Sequence, residues 1–296
     1  MSAASTRRWQ RVREWGIEGL IRASGVSSIA IVILIFVFLL REGAVLFRTV
    51  PLGDFLRGQR WYPISEPPQF GILPLVLGSA VVTAGATALS VPLGVASALF
   101  ISEIARGWMK ETLKTGIELF AAIPSVVLGF IGVTMLAPLI RQGFHLSTGL
   151  TALTGSITLA FMAMPTIVSI TEDALTAVPR GYREAALALG ATRWQMMTRV
   201  LLPAAGSGIV AAVMLGVGRV IGETMAVMMV TGNAAVIPHT LLQPVRTLTA
   251  TIAAEMGETV RGSDHYSALF AIGIVLFVIS FAVNLIADLF LHRERR

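Results

Sequence analysis

The chain has 296 residues and a formal net charge of +6; 55 % of its residues are hydrophobic and only 14 % are charged. Soluble domains usually carry about 25 % charged residues, so this composition excludes a water-soluble globular protein and indicates a chain solvated by membrane lipid. We expect no nucleic-acid partner, because basic residues also collect in the cytoplasmic loops of membrane proteins, and no metal or other cofactor, because cysteine is absent and the four histidines are scattered.

The N-terminal part of the chain is basic and then becomes apolar. Residues 1–26 carry five arginines and are predicted to form a partly helical cytoplasmic arm. An apolar stretch over 27–47 contains no small-residue cleavage site, because Leu40 is followed by Arg41 and Glu42. We therefore predict that this stretch is retained as the first transmembrane helix rather than removed as a signal peptide.

Five further apolar stretches follow an irregular, proline-rich external loop. Each holds about the 20 residues that a helix needs to cross a hydrocarbon layer of ~30 Å. Backbone amides in lipid find partners only within helices or closed barrels, and these stretches are too long for barrel strands. We predict an all-α polytopic membrane protein with about six transmembrane helices. The later predicted spans are residues 72–101, 116–140, 148–170, 203–231 and 268–291, with a short tail over 292–296.

The distribution of arginine and lysine predicts the orientation of these spans. The arm, residues 102–115, residues 171–202 and the tail together carry fifteen basic residues, whereas the opposite side carries seven. Because basic residues are enriched in cytoplasmic loops, we predict that both termini are cytoplasmic. Arg219 belongs to neither side, since it lies within a predicted span.

The predicted cytoplasmic loop over 171–202 is too long for a tight turn and has helix-forming sequence on both sides of Gly190. We expect a compact projection from the membrane. The sequence Glu184-Ala185-Ala186, three residues, Gly190, nine residues and then Val200-Leu201-Leu202-Pro203 resembles the coupling motif of ABC importer permeases. That consensus is EAA-x3-G-x9-I-x-LP, with valine here in place of isoleucine.

The resemblance to the coupling motif implies a partner that hydrolyses ATP. In that family the segment inserts into a groove on a separate ATPase subunit, where Ala185 and Ala186 would permit close approach and Gly190 would supply a bend. The only two lysines, Lys110 and Lys114, do not end a phosphate-binding G-x4-G-K-[ST] sequence. We therefore expect a transport subunit that is not itself an enzyme.

Two charged residues, Arg219 and Glu223, lie within the fifth predicted span. At four residues apart they are expected to share a helix face, and an arginine at mid-bilayer costs about 2.5–3.5 kcal/mol on insertion scales. One hypothesis is an ion pair that holds the helix against a neighbour. The other is a positive group on the path of an anion, tuned by its carboxylate.

The surrounding sequence resembles one family of anion permeases. The run from Gly218 to Val227, GRVIGETMAV, is similar to a signature of the phosphate-specific transport permeases of the C type (PstC), as are the segments 123–127 and 246–256. This resemblance covers about residues 70–290. It implies a type I ABC importer permease in the bacterial inner membrane that translocates inorganic phosphate. Its implied partners are a homologous second permease, two ATP-binding subunits and an external phosphate-binding protein.

Other functions are compatible with parts of this pattern. A permease of the same architecture for sulfate or molybdate would share every feature above. A self-sufficient anion channel or proton-coupled carrier would not need the coupling motif. A membrane-embedded enzyme would need catalytic groups of which the sequence offers no constellation.

Overall fold

A computed structural model of the protein describes residues 3–293; residues 1–2 of the predicted arm and 294–296 of the predicted tail lie outside the described residues. Helices connected by short loops account for most of this range. In chain order they are α1 (Ala3–Gly43), α2 (Leu52–Arg57), α3 (Leu73–Leu99), α4 (Trp108–Ala121), α5 (Ser125–Ile131), α6 (Ala137–Gly143), α7 (Ala152–Ala177), α8 (Arg180–Ala188), α9 (Arg193–Met196), α10 (Leu202–Ala204), α11 (Gly206–Gly222), α12 (Met225–Val230), α13 (Leu248–Glu255) and α14 (Asp264–Arg293).

A small antiparallel hairpin lies in the loop between α2 and α3. Its strands are β1 (Trp61–Tyr62) and β2 (Gln69–Phe70), and Trp61 pairs with Phe70 in the register. Trp61 is almost completely buried and its ring meets that of Phe70 edge to face. Both side chains belong to a buried hydrophobic cluster with Leu75 of α3 and Leu269 of α14, so the loop predicted to be irregular is fixed against the bundle.

The number of membrane-spanning helices agrees with the sequence. Within residues 3–293, five helical segments are long and apolar enough to cross a membrane, and the bent pair Arg193–Ala204 and Gly206–Gly222, with 73° between its halves, provides a sixth if it is one span. The prediction of an all-α polytopic chain with about six spans is confirmed. The five segments are Trp15–Arg48, Leu73–Ile104, Ser125–Gly143, Ala152–Ala177 and Asp264–Ile286.

The basic arm and the first predicted span lie on one continuous helix, α1. From Trp15 to Leu40 most of its apolar side chains are exposed, and near its C-terminal end it packs on α14. There Phe36 stacks on Phe277 with a centroid distance of 4.7 Å, and Phe38 meets Phe270 at 5.5 Å. Exposed apolar faces of this kind are expected where lipid is the solvent.

The third predicted span, 116–140, is not one helix. The chain leaves the helical conformation after α4 and re-enters it at Ser125, and the candidate span begins there. Pro124 explains the interruption, because it has no N–H to donate and disfavours helical backbone in the residue before it. The separate helix α4 carries the charged residues that a membrane span would exclude.

The centre of the bundle is formed by α3, α7 and α11, which approach closely through glycine. Gly94 of α3 and Gly216 of α11 both face Ile167 of α7, which is fully buried. A Cβ at either glycine would lie 2.7 Å from a carbon of the Ile167 side chain. Small residues therefore permit the close helix contacts that packing in a membrane requires.

Polar side chains cluster at the two opposite ends of this bundle. At one end, Glu255 accepts hydrogen bonds from the side chains of Trp61 and Arg246. At the other end, Lys110 and Lys114 pair with Glu172, and Lys110 lines one cavity with Arg180 at the start of α8. The loop that carries β1 and β2 and the loop over 171–202 thus lie at opposite ends of the bundle.

Cysteine labelling tests the orientation. The natural chain has no cysteine, so single cysteines at Gln59, Ser263 and Gln195 can be labelled in sealed cells without background. We expect a membrane-impermeant maleimide to modify positions 59 and 263 and to reach position 195 only after the membrane is opened. Labelling of position 195 in intact cells would contradict the predicted cytoplasmic location of residues 171–202.

Candidate functional site

The segment from α8 to α10, which we call the projection, consists of short helices on both sides of Gly190, as the sequence predicts. Pro179 precedes α8 and Gly190 follows it with φ of +82°, in the left-handed region that glycine occupies without strain. Thr192 then begins α9, and its hydroxyl and the Gln195 side chain each bond the other residue's backbone N–H. Such a capping box fixes the start of a helix. The two short helices are therefore held in a defined turn.

Arg183 attaches this projection to the end of the bundle. Its guanidinium donates to the carboxylate of Glu103 at 2.7 Å and to the backbone carbonyls of Val178 at 2.8 Å and Leu175 at 2.9 Å. Glu103 lies in the π-helical turn Phe100–Ile104 that continues α3. One side chain therefore joins α8 to the ends of α3 and α7.

The residues of the coupling motif differ in their exposure. Glu184, Ala185 and Gly190 are exposed, whereas Ala186 is buried within the chain's own packing. A small residue at position 186 thus serves the internal packing of α8. A small residue at position 185 leaves the surface open.

Large apolar side chains surround the exposed motif residues. Leu189 is 90 % exposed and Trp194 is 65 % exposed, and Tyr182 and Leu187 are also exposed. These side chains have no protein around them in the single chain. Exposed apolar surface of this kind marks a site of contact with another protein or with the membrane. We name Tyr182, Leu187, Leu189 and Trp194 the apolar projection surface.

A second cluster of charges connects α4 to α7 at the same end of the bundle. Glu172 is almost completely buried, with its carboxylate 3.0 Å from the Lys110 ammonium and 2.9 Å from that of Lys114. The hydrogen bond to Glu172 and the charge of that carboxylate raise the pKa of Lys114. The Glu172 carboxylate near the end of α7 is therefore neutralised by two lysines, both of which lie in the predicted loop over 102–115.

Arg219 lies on an open face of α11. Leu215, Gly218, Arg219 and Gly222 are all exposed, and their spacing of three and four residues puts them on one helix face. Neither glycine has an atom near its Cβ position. The Arg219 guanidinium makes one long contact, 3.5 Å, to the hydroxyl of Thr166 on α7. An arginine in a predicted span therefore faces out of the single chain.

Glu223 does not continue the helix that carries Arg219. Its backbone is extended, with φ of −68° and ψ of 132°, and α11 ends at Gly222. The Glu223 carbonyl instead accepts a hydrogen bond from the Thr249 hydroxyl at 2.8 Å, and its carboxylate accepts one from the N–H of Ala226. The expectation that Arg219 and Glu223 share a helix face is therefore wrong, because the backbone at Glu223 is extended and α11 ends between them.

The ion-pair hypothesis finds no counterpart in the described residues. Across residues 3–293, no ion pair within 4.0 Å joins Arg219 to Glu223. The Glu223 carboxylate accepts a hydrogen bond at the start of α12, and the Arg219 guanidinium lies on the open face of α11. Also within residues 3–293, no group of three or more His, Asp or Glu side chains forms a candidate metal site.

Sequence reasoning did not assign roles to several residues that organise these sites. Glu103 holds Arg183, Thr249 holds the Glu223 carbonyl, and Glu255 gathers hydrogen bonds from Trp61 and Arg246. Arg246 and Glu255 are the first residue and the last but one of the segment 246–256, whose resemblance to the permease family is a signal for a role. The partners themselves are distant in sequence, so spacing did not reveal them.

Comparisons with known proteins agree with this architecture. Residues 90–296 match the family model described as binding-protein-dependent transport system inner membrane component. A probable ABC transporter permease of Bacillus subtilis, YqgH, is 42 % identical over 88 % of this chain and 85 % of its own length. The phosphate transport system permease PstC of Mesorhizobium japonicum is 38 % identical over 81 % of this chain and 78 % of its own, and that of Haemophilus influenzae is 33 % identical over 82 % of each.

Solved structures share the fold at lower sequence identity. A bacterial alginate ABC transporter, in complex with a periplasmic protein carrying an alginate pentasaccharide, contains a chain that matches with a TM-score of 0.65. The match covers 95 % of this chain and 96 % of that one at 16 % identity. A chain of the inward-facing methionine transporter MetNI matches with a TM-score of 0.60 and 21 % identity, over 79 % of this chain and all of that one. The predicted type I importer permease fold is thereby confirmed.

Replacement of Glu103 tests whether it holds the projection in place. Glu103→Gln removes the charge that faces Arg183 and is expected to weaken the attachment of α8 by about 1–3 kcal/mol. Amide hydrogen exchange over Arg180–Ala188 should then increase in the purified protein. Glu111→Gln, at an exposed position on α4, is the matched control. Equal exchange in both variants would contradict the attachment.

Proposed function

Since the chain belongs to the family of binding-protein-dependent transport system inner membrane components, we propose that it is the membrane-spanning permease subunit of an ATP-driven importer of inorganic phosphate. The identity of the chain to several phosphate transport system permeases over about four fifths of their length supports the substrate. The YqgH relative carries no substrate in its name. Uptake experiments should therefore compare phosphate with sulfate and molybdate.

The open face of α11, with Arg219 on it, gives a physical reason for proposing phosphate as the substrate. An exposed arginine within a membrane span is costly unless water or protein covers it. A second permease subunit placed against this face would enclose a route along which Arg219 faces the passing ion. A guanidinium can give two parallel hydrogen bonds to a phosphate, and the attraction is strong where the dielectric is low. In this proposal Glu223 shapes the route by fixing the turn into α12.

Energy would come from ATPase subunits that contact the projection. The chain contains no phosphate-cradling loop of its own, so two copies of a separate ATP-binding subunit are proposed as partners of the importer. Glu184, Ala185 and Gly190 are exposed beside the apolar projection surface, where a groove on such a subunit would receive them. Ala186 would act indirectly, through the packing of α8.

The remaining partners follow from the same assignment. A homologous second permease would complete the route, and an external phosphate-binding protein would deliver the ion to the end of the bundle that carries β1 and β2. The alginate transporter that shares this fold was solved with a periplasmic binding protein. Both termini of the chain would then lie in the cytoplasm of a bacterial cell with the chain in its inner membrane.

Variants of the projection test the contact with the ATPase. Ala185→Leu adds bulk to an exposed position, and we expect it to abolish uptake and substrate-stimulated ATP hydrolysis while the chain still inserts. Gly190→Val should act similarly, because a β-branched residue in the left-handed region costs about 1–2 kcal/mol, whereas Gly190→Asn tolerates that region. The measurement is ATP hydrolysis by the reconstituted complex with its binding protein.

The contrast with Ala186 is the control for this experiment. Ala186→Leu enlarges a buried position and should lower the yield of folded protein, as overpacking does at a cost of about 1–3 kcal/mol. Normal hydrolysis and uptake in both Ala185→Leu and Gly190→Val would show that the projection is not the coupling element.

Substitution of Arg219 tests the phosphate route. Arg219→Lys keeps the charge and loses the paired hydrogen bonds, and Arg219→Gln loses both. We expect each to lower phosphate uptake by about ten- to a hundredfold, the loss expected from one hydrogen bond to a charged group. Assembly with the partners and basal ATP hydrolysis should remain. The readout is uptake of radioactive phosphate into proteoliposomes.

Two further variants make the test decisive. Arg57→Gln, at an exposed position on α2, controls for the loss of a positive charge. Glu223→Gln keeps an oxygen for the Ala226 N–H and removes the charge. If the doubly neutral protein Arg219→Gln with Glu223→Gln transports phosphate at the natural rate, the two residues do not act on the route.

A further inference from the structure

The side chain of Glu255 gathers three segments of the chain at one end of the bundle. Its carboxylate accepts a hydrogen bond of 2.6 Å from Arg246 and bonds of 3.1 and 3.2 Å from the Trp61 indole, and it lies 2.8 Å from Nε2 of His265. Trp61 belongs to β1, Arg246 to the loop after α12, and His265 to α14. All four side chains are largely buried. We name these residues the Glu255 cluster.

The helix α13 runs from this cluster to the break between α11 and α12. Glu255 is its last residue, and Thr249 is in its first turn. The Thr249 hydroxyl donates to the carbonyl of Glu223 at 2.8 Å. A helix of this length spans about 12 Å. The same short element therefore touches the cluster with one end and the break with the other.

The body of α13 is well fixed within the bundle. The Thr247 hydroxyl accepts from the N–H of Ala250, and the N–H of Leu248 donates to the Ser79 hydroxyl of α3 at 2.9 Å. The first four residues of α13 are buried. Because a hydrogen-bonded helix bends and stretches little, a displacement of its C-terminal end moves its N-terminal end as well.

A second, parallel connection leaves the same cluster. The Arg246 guanidinium donates from Nε to the backbone carbonyl of Asn233 at 3.0 Å, and the Asn233 amide donates to the carbonyl of Met228 in α12 at 2.8 Å. This connection reaches α12 beyond the break. It does not contact Glu223, whose conformation decides where the Arg219 face ends.

We infer that α13 transmits a change at the Glu255 cluster to the α11–α12 break, and that Thr249 is the positioning residue of this connection. The inference rests on the proposed function, in which a binding protein approaches the end of the bundle that carries β1 and β2. A protein that shifts the hairpin would move Trp61 and hence Glu255. The Thr249–Glu223 bond then passes the movement to the residue that follows the Arg219 helix.

The connection can be tested without any substrate. In the complex assembled with its partner subunits in lipid nanodiscs, Trp61→Phe removes one donor from Glu255 and leaves the ring. Amide exchange over Met225–Val230 should rise by about two- to tenfold, the change in an opening equilibrium expected from one lost hydrogen bond. In a Thr249→Val background the same Trp61→Phe change should have little further effect.

The matched control is another threonine of the same helix. The Thr251 hydroxyl donates at 2.8 Å to the Thr247 carbonyl, within the first turns of α13, and Thr251 is fully buried. Thr251→Val therefore removes a similar hydroxyl that does not reach the break. Trp61→Phe should retain its effect on Met225–Val230 in this background. An undiminished effect in Thr249→Val as well would assign the transmission to the Arg246–Asn233 connection and overturn the inference.

Transport measurements add the functional consequence. The phosphate-loaded binding protein is expected to stimulate ATP hydrolysis about tenfold less in Thr249→Val than in the natural complex, with basal hydrolysis unchanged. Thr249→Ser keeps the hydroxyl and should retain the natural stimulation. Natural stimulation in Thr249→Val would contradict a positioning role. If the natural complex itself takes up no phosphate, the proposed substrate fails, while the exchange experiment still decides whether α13 transmits the change.

Discussion

A helix that ends within a membrane span leaves backbone groups that water cannot reach, and each must find a partner inside the protein. The helix α11 ends in this way at Gly222, inside the fifth predicted span over 203–231, and three side chains bond to backbone groups there. The Thr224 hydroxyl donates to the Gly222 carbonyl at 3.1 Å. The Thr249 hydroxyl bonds to the Glu223 carbonyl, and the Glu223 carboxylate accepts from the N–H of Ala226. The turn between α11 and α12 is therefore held in part by α13.

The helices around the break are held much more tightly. Ile167 fills the space that Gly94 and Gly216 leave free, so α3, α7 and α11 touch through contacts with no room for a methyl group. Close-packed interfaces of this kind transmit displacement rather than absorb it. Movement in the chain is then concentrated where helices are interrupted, at Pro124 and after Gly222. Both interruptions lie in segments for which the sequence predicted uninterrupted spans.

The sequence predicted what depends on composition and local pattern. The number of spans follows from apolar length, and the turn of the projection follows from Gly190, which has helix-forming sequence on both sides. It did not predict the end of α11, because Gly222 tolerates helix and the Thr249 hydroxyl that bonds to the Glu223 carbonyl lies 26 residues away. The four-residue spacing of Arg219 and Glu223 therefore suggested a shared face, which the extended backbone at Glu223 removes.

The position of Arg183 connects the projection to the rigid part of the bundle. Its guanidinium bonds to Glu103 beyond α3 and to the carbonyls of Leu175 and Val178 at the end of α7. A force applied to α8 reaches α3 and α7 together, and these two helices are locked to each other through Gly94 and Ile167. In the proposed importer, an ATPase that moves the projection would shift this pair as a unit. Because α11 is locked to the same pair through Gly216, the break after Gly222 would then be the point at which these three helices move relative to α12.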